Sequence, residues 1–156
     1  MKITFLAIGK TAERYLQEGI AVYEKRLKFY TRFEIELLPD VKHAAGMSRE
    51  QLAEKEGALF LKRIREQDLL VLLDEKGKEY SSTELAGQLE KWMQLSRGIV
   101  MVAGGAYGFS RDMYNRADHL LSLSRMTFSH QMVRLLFAEQ LYRAFTIIKG
   151  EPYHHE

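Results

Sequence analysis

The chain has 156 residues, the length of one domain, with a formal charge of +2, 46% hydrophobic and 28% charged residues. That balance excludes a disordered chain and a broadly basic coat for nucleic acid, so any contact with nucleic acid must use local patches. The absence of cysteine excludes disulfides, a thiolate nucleophile and the usual zinc sites.

The opening MKITFLAIGK is apolar but broken at Gly9 and Lys10. It is too short for a signal peptide and reads as a strand over 2–8. No other run reaches membrane-spanning length, so the expected location is cytoplasmic. A helix is expected from about Thr11 to Tyr30, with Leu16, Ile20, Tyr23, Leu27 and Tyr30 on one face. FEIELL (33–38) follows as a strand stopped by Pro39, and KHAAGM reads as a loop. Ser48 and Gln51 have capping-box spacing and open a helix carrying Leu52, Leu59, Phe60 and Ile64.

LLVLL (69–73) is apolar on both faces, as a central parallel strand requires, and DEKGKE after it reads as a polar turn. Ser81 and Glu84 cap the next helix, which bears Leu85, Leu89 and Trp92. GIVMVA (98–103) is a second doubly buried strand running into three glycines, and a short helix starts at Ser110. HLLSLS (119–124) is a brief strand, and a long helix covers about Gln131 to Ile148. This order predicts one α/β domain, a mostly parallel sheet flanked by helices. Ligands of such sheets sit beyond the carboxyl ends of the strands. The candidate ends are Leu73-Asp74, Ala103-Gly104-Gly105 and Leu123-Ser124.

The glycine turn VAGGAYGFS lacks the Gly-Lys-Ser/Thr ending of a Walker loop and the first glycine of a dinucleotide fingerprint. Two readings remain at this level: a tight turn, or close packing of backbone against a flat, uncharged ligand. The five histidines show no metal-ligand spacing, and no metal is expected. His119 reads as a polar strand residue. His130, where the long helix begins, is either a helix-terminal hydrogen-bonding residue or a catalyst. No hydrolytic motif is present, which favours transfer from an already activated donor.

On the long helix, Val133, Phe137, Ala138, Leu141, Ala144, Phe145 and Ile148 make a broad apolar face, while Met132, Leu136 and Ile147 lie on the other side. A helix apolar on two sides needs a second partner, and a homodimer is the economical one. Arg134 falls inside the apolar arc, where its charge needs an acidic residue across an interface or a ligand anion. The tail GEPYHHE would fray unless held, and its rings suit stacking on a base.

Taken together, MKITFLAIGK, KEGALFL, VAGGAYGFS and LSLSRMTFSHQMVRLLFAEQLYRAFTIIKGEPYHHE resemble the ribosomal large-subunit pseudouridine N3-methyltransferase family, small members of the SPOUT superfamily. The likeness covers essentially the whole chain, 1–156, as a single domain. It implies an α/β fold with a deep C-terminal trefoil knot, a homodimer, and S-adenosylmethionine as methyl donor. It implies donor contacts from Leu73, Gly104, Leu123, Ser124, Arg125, Met126, Thr127 and Phe128, with the glycines admitting the donor to backbone. For the acceptor it points to His130, Arg143, Tyr153 and His154. The implied substrate is 23S ribosomal RNA in the assembled ribosome, reached at a site built from both subunits. The family commonly has proline before the histidine, where this chain has Ser129. The alternatives are another SPOUT RNA methyltransferase (2′-O-ribose or base), a nicotinamide-dependent enzyme and a non-catalytic ribosome-associated factor.

Overall fold

Alternation along the strands decides the architecture. In β1 (Lys2–Ile8), Ile3, Phe5 and Ala7 face one side of the sheet, while Leu6 and Ile8 face the other. The computed structural model describes residues 1–95 and 98–155. Its elements are β1, α1 (Arg14–Leu27), β2 (Arg32–Leu38), α2 (Arg49–Leu61), β3 (Leu69–Glu79), α3 (Ser82–Leu95), β4 (Gly98–Ala103), α4 (Arg111–Arg116), β5 (His119–Ser122) and α5 (Met132–Ile148). The strands are all parallel, in the order β2-β1-β4-β3-β5. β4, buried along its whole length, lies between β1 and β3, as its unbroken apolar run requires.

Two hydrophobic cores cover the sheet. On one face, Leu27 of α1, Leu89 and Trp92 of α3, and Phe137, Leu141 and Phe145 of α5 pack over Ile3, Phe5, Val71 and Met101. On the other, Phe60 of α2 and Met113 of α4 pack over Leu6, Leu70, Leu72 and Val102. Phe5 stacks on Phe137 with centroids 4.9 Å apart, tying the first strand to the last helix.

The caps read from sequence are formed. The Gln51 amide donates to the Ser48 hydroxyl at 3.1 Å, and Gln51 Oε1 accepts from the Ser48 amide at 2.9 Å. Ser81 and Glu84 make the same reciprocal pair, and the Ser110 hydroxyl accepts from the Met113 amide. The first helix is shorter than 11–30. Its approach, Lys10 to Ala12, is occupied by hydrogen bonds to α5, so α1 begins at Arg14. KHAAGM contains a single 3-10 turn at Ala44–Gly46, and β5 ends at Ser122 rather than Ser124.

The expected polar turn after Leu73 is instead part of β3. Leu73 and Lys78 both pair with Leu121, so residues 74–77 buckle out of the ladder and Glu79 regains it opposite Ser122. Leu73 therefore precedes a bulge and does not end its strand. Gly77 allows the bulge to close, because a Cβ there would lie 2.6 Å from the backbone of Leu120 and Leu121. Backbone cannot yield as a side chain does. Gly77→Ala should cost about 2 kcal/mol or more, read as a lower urea midpoint with an unchanged slope.

Candidate active site

The bulge inside β3, where its pairing with β4 stops, meets the glycine turn after β4 and the loop after β5. They enclose a cavity of about 420 Å³. Of the residues expected to hold a donor, Leu73, Gly104, Leu123, Ser124, Met126, Thr127 and Phe128 line it, and so does His130. Arg125 does not line it. Its exposed side chain lies 3.9 Å from Glu79, a surface ion pair of little energetic weight. Asp74, expected at a candidate strand end, also lines the cavity, and so does Tyr114, which the sequence does not mark.

The glycines turn out to serve their own chain first. A Cβ on Gly104 would meet the Phe109 ring at 3.2 Å, and one on Gly105 would meet the Glu56 carboxylate at 2.7 Å. Gly108 has φ +79, a left-handed conformation that disfavours other residues. Gly104 thus faces the cavity with its backbone while its missing side chain makes room for Phe109. Burial, with Asp40 adding to it, raises the pKa of Glu56 beneath this turn.

Polar contacts order the loop from 122 to 131. The Ser122 hydroxyl donates to the Ser124 carbonyl, and the Ser124 hydroxyl accepts the Met126 amide at 2.9 Å. Ser129, which stands where the resembled family commonly has proline, accepts the Met132 amide at 3.1 Å in the turn that leads into α5. His130 beside it is exposed and turned to the cavity.

Just beyond the loop, α5 is clamped onto the end of β1. Gln131 bridges the Lys10 carbonyl and the Ala12 amide. Arg134, 3% exposed, donates to the carbonyls of Ile8 (2.7 Å) and Gly9 (2.8 Å) and to the Thr11 hydroxyl (3.0 Å). Its Nε is buried with no hydrogen-bond partner among the described residues. Burial lowers the Arg134 pKa, and Asp40 opposes that shift. The expectation of a partner across an interface or a ligand anion is therefore corrected: the charge is met by carbonyls and a hydroxyl of the same chain.

Arg143, Tyr153 and His154 form a separate cluster at the far end of α5. Glu139, one turn before Arg143, accepts from Arg143 Nη2 at 2.6 Å and Nε at 3.1 Å, and from the Tyr153 hydroxyl at 3.1 Å. Arg143 Nη1 lies 3.2 Å from His154 Nδ1, and its guanidinium lies over the Tyr153 ring. The hydrogen bond to Glu139 raises the Arg143 pKa, while burial, with Tyr23 and Glu139 adding to it, raises that of Tyr153. The tail does not fray, because Gly150 (φ +68) reverses the chain and Tyr153 packs edge-on against Tyr142. Glu139 was missed in sequence, although its spacing four residues before Arg143 was the available signal.

Residues 1–154 match the family described as "Predicted SPOUT methyltransferase". The chain belongs to the SPOUT methyltransferase family. Among relatives of this SPOUT protein, those from Parabacteroides distasonis and Flavobacterium psychrophilum are each 52% identical over 157 residues. Each alignment spans 100% of both sequences, and both relatives are named "Ribosomal RNA large subunit methyltransferase H". A probable methylase family protein from Haemophilus influenzae Rd KW20 shares the fold, with a TM-score of 0.51 at 11% identity, covering 99% of this chain and 70% of its own. Among the described residues of the SPOUT chain, no three His, Cys, Asp or Glu side chains group as a metal site, and no helix is long and apolar enough to cross a membrane.

Proposed function

We propose that the protein transfers a methyl group from S-adenosylmethionine to N3 of a pseudouridine in large-subunit ribosomal RNA. It would act as a homodimer on assembled ribosomes in the cytoplasm. The observation that carries the reading is the cavity between the β3 bulge, the glycine turn and the loop after β5, in a chain that matches, end to end, relatives named ribosomal RNA large subunit methyltransferase H.

The cavity suits this donor in size and chemistry. About 420 Å³ lies within the usual range of small-molecule sites. Leu73, Leu121, Leu123 and Phe128 offer apolar wall to an adenine and a thioether chain, and Gly104 offers backbone. Lys76, exposed, is the one Lys or Arg of the described wall, which is a poor cradle for a polyphosphate. Leu73, Gly104, Leu123, Ser124, Met126, Thr127 and Phe128 would hold the donor, with Arg125 outside the pocket wall. A deep C-terminal knot through the stretch after β4 belongs to the same proposal.

Once bound, the donor supplies an electrophilic methyl and a neutral thioether as leaving group. The protein must remove the N3 proton of the acceptor and balance the charge that results. Arg143 has only donors, so His154 Nδ1 accepts from it and the neutral imidazole carries its proton on Nε2. That tautomer makes His154 a hydrogen-bond donor toward the acceptor, beside the Arg143 cation. The proton then falls to His130, at the cavity. His130→Gln should slow single-turnover methylation about a hundredfold, with donor binding kept.

In one chain the two halves of this chemistry are far apart. His130 stands just before α5 and Arg143 eleven residues into it from Met132, roughly 15–20 Å along the axis, so the tail of one copy is read as completing the cavity of another. Met132 and Leu136, half-buried on α5, supply apolar surface for that pairing, whereas Ile147, expected beside them, packs against the core of its own chain. The decisive experiment incubates the protein with methyl-labelled donor and ribosomes from a strain lacking the activity, then maps the product by mass spectrometry. The expected product is 3-methylpseudouridine. Label on a ribose 2′-oxygen would show a different SPOUT chemistry, and no label would favour a non-catalytic factor. A short isolated hairpin should be a poor substrate, because a chain of charge +2 lacks the basic field to hold free RNA.

A further inference from the structure

We propose that the Asp74 carboxylate is the counter-charge for the sulfonium of the bound donor, with Tyr114 as the positioning residue that holds it. The inference rests on the donor reading above and assigns a side chain to the donor's charged centre.

The bulge at 74–77 lifts Asp74 out of the β3 ladder and places it, half-buried, in the cavity wall. Both of its oxygens are held: Oδ1 accepts the Lys76 amide at 2.8 Å, and Oδ2 accepts the Tyr114 hydroxyl. Tyr114 is itself fixed on α4 by an edge-to-face contact with Phe109, centroids 5.9 Å apart, and both rings line the cavity. Burial and the hydrogen bond to Asp74 push the Tyr114 pKa upward, so the phenol stays a donor at neutral pH.

A carboxylate held in this way has much of its hydrogen-bonding capacity in use, and acts on a guest chiefly through charge. A sulfonium offers charge and no N–H, whereas an ammonium asks for acceptors. The other charged side chains of the wall, Glu75 and Lys76, are exposed and better screened than Asp74. In the transfer the N3–CH3 bond forms as the S–CH3 bond breaks, its electron pair stays on sulfur, and the positive charge is lost. Asp74 therefore favours the charged donor over the neutral product and helps the spent nucleoside to leave.

Calorimetric titration of the full chain with S-adenosylmethionine and with S-adenosylhomocysteine isolates that charge, because the two differ only in the methyl and the sulfonium. Asp74→Asn should weaken binding of S-adenosylmethionine roughly tenfold and leave S-adenosylhomocysteine within about twofold. Asp74→Glu should restore much of the preference. Tyr114→Phe, which spares the carboxylate but frees it, should show the same selective loss at about two- to fourfold. In turnover, Asp74→Asn should raise KM for the donor without lowering kcat, since the charge it opposes diminishes toward the transition state. Equal weakening for both compounds, or no change for either, overturns the assignment. If the native protein binds neither compound, the donor reading itself fails, a result distinct from a native preference that survives Asp74→Asn.

Discussion

Arg143→Ala should lower methylation of ribosomal RNA by a hundredfold or more, while binding of S-adenosylmethionine stays within about twofold. Arg143 links three groups at once: Glu139, the Tyr153 ring and His154 Nδ1. Its removal takes away the cation proposed to face the acceptor's developing negative charge and releases His154 from its tautomer. Donor binding is spared because the cavity wall contains neither Arg143 nor its partners. Arg143→Lys should recover little, since an ammonium cannot span Glu139 and His154 as a planar fork does. The shared-site proposal makes the prediction sharper. Mixing Arg143→Ala with the cavity variant Leu123→Arg, after dissociation and reassociation, should restore about a quarter of native activity in a two-fold symmetric dimer. Half of the dimers are then mixed, and each has one intact site. Activity no higher than that of either variant alone would show that each subunit works by itself.

The second large effect concerns stability. Arg134→Ala leaves the Ile8 and Gly9 carbonyls and the Thr11 hydroxyl buried without their donor. Unsatisfied buried acceptors cost about 1–3 kcal/mol each, with partial relief by water, so a total near 3 kcal/mol is expected. In a domain of this size that corresponds to a Tm lower by roughly 10 °C. Arg134→Lys should recover less than half, because one ammonium cannot serve three acceptors at these positions. A Tm within about 2 °C of native in Arg134→Ala would mean that the clamp contributes little to holding α5 on β1.

What the sequence disclosed and what it hid divide along range. The caps of α2, α3 and α4 are local, and Ser48, Ser81 and Ser110 could be read directly. The doubly buried strands could also be read, because LLVLL and GIVMVA leave no face for water. From these the parallel sheet and the convergence of its carboxyl ends follow. The bulge at 74–77 could not be read: DEKGKE has the composition of a turn, and its return to the ladder depends on β5, more than forty residues later. Arg134 stood out as a charge in an apolar arc, but its acceptors lie at the end of β1, over 120 residues away. The residues proposed for catalysis came from likeness to a family, and folding added Glu139 and the hydrogen-bonded order of the tail cluster. Asp74 was legible as a strand-end position but not as a charge in the cavity wall, and Tyr114 escaped because it sits in no recognisable motif.

Helix α5, seventeen residues long, starts beside the cavity and carries Glu139 and Arg143 of the tail cluster in its second half. It is in effect a ruler. Inserting one residue in its middle would advance the far end by about 1.5 Å and swing it through about 100°, so the tail would arrive at a neighbouring copy facing the wrong way. Loops elsewhere can lengthen during evolution without such a penalty, whereas this segment must keep its residue count for the two ends to remain in phase.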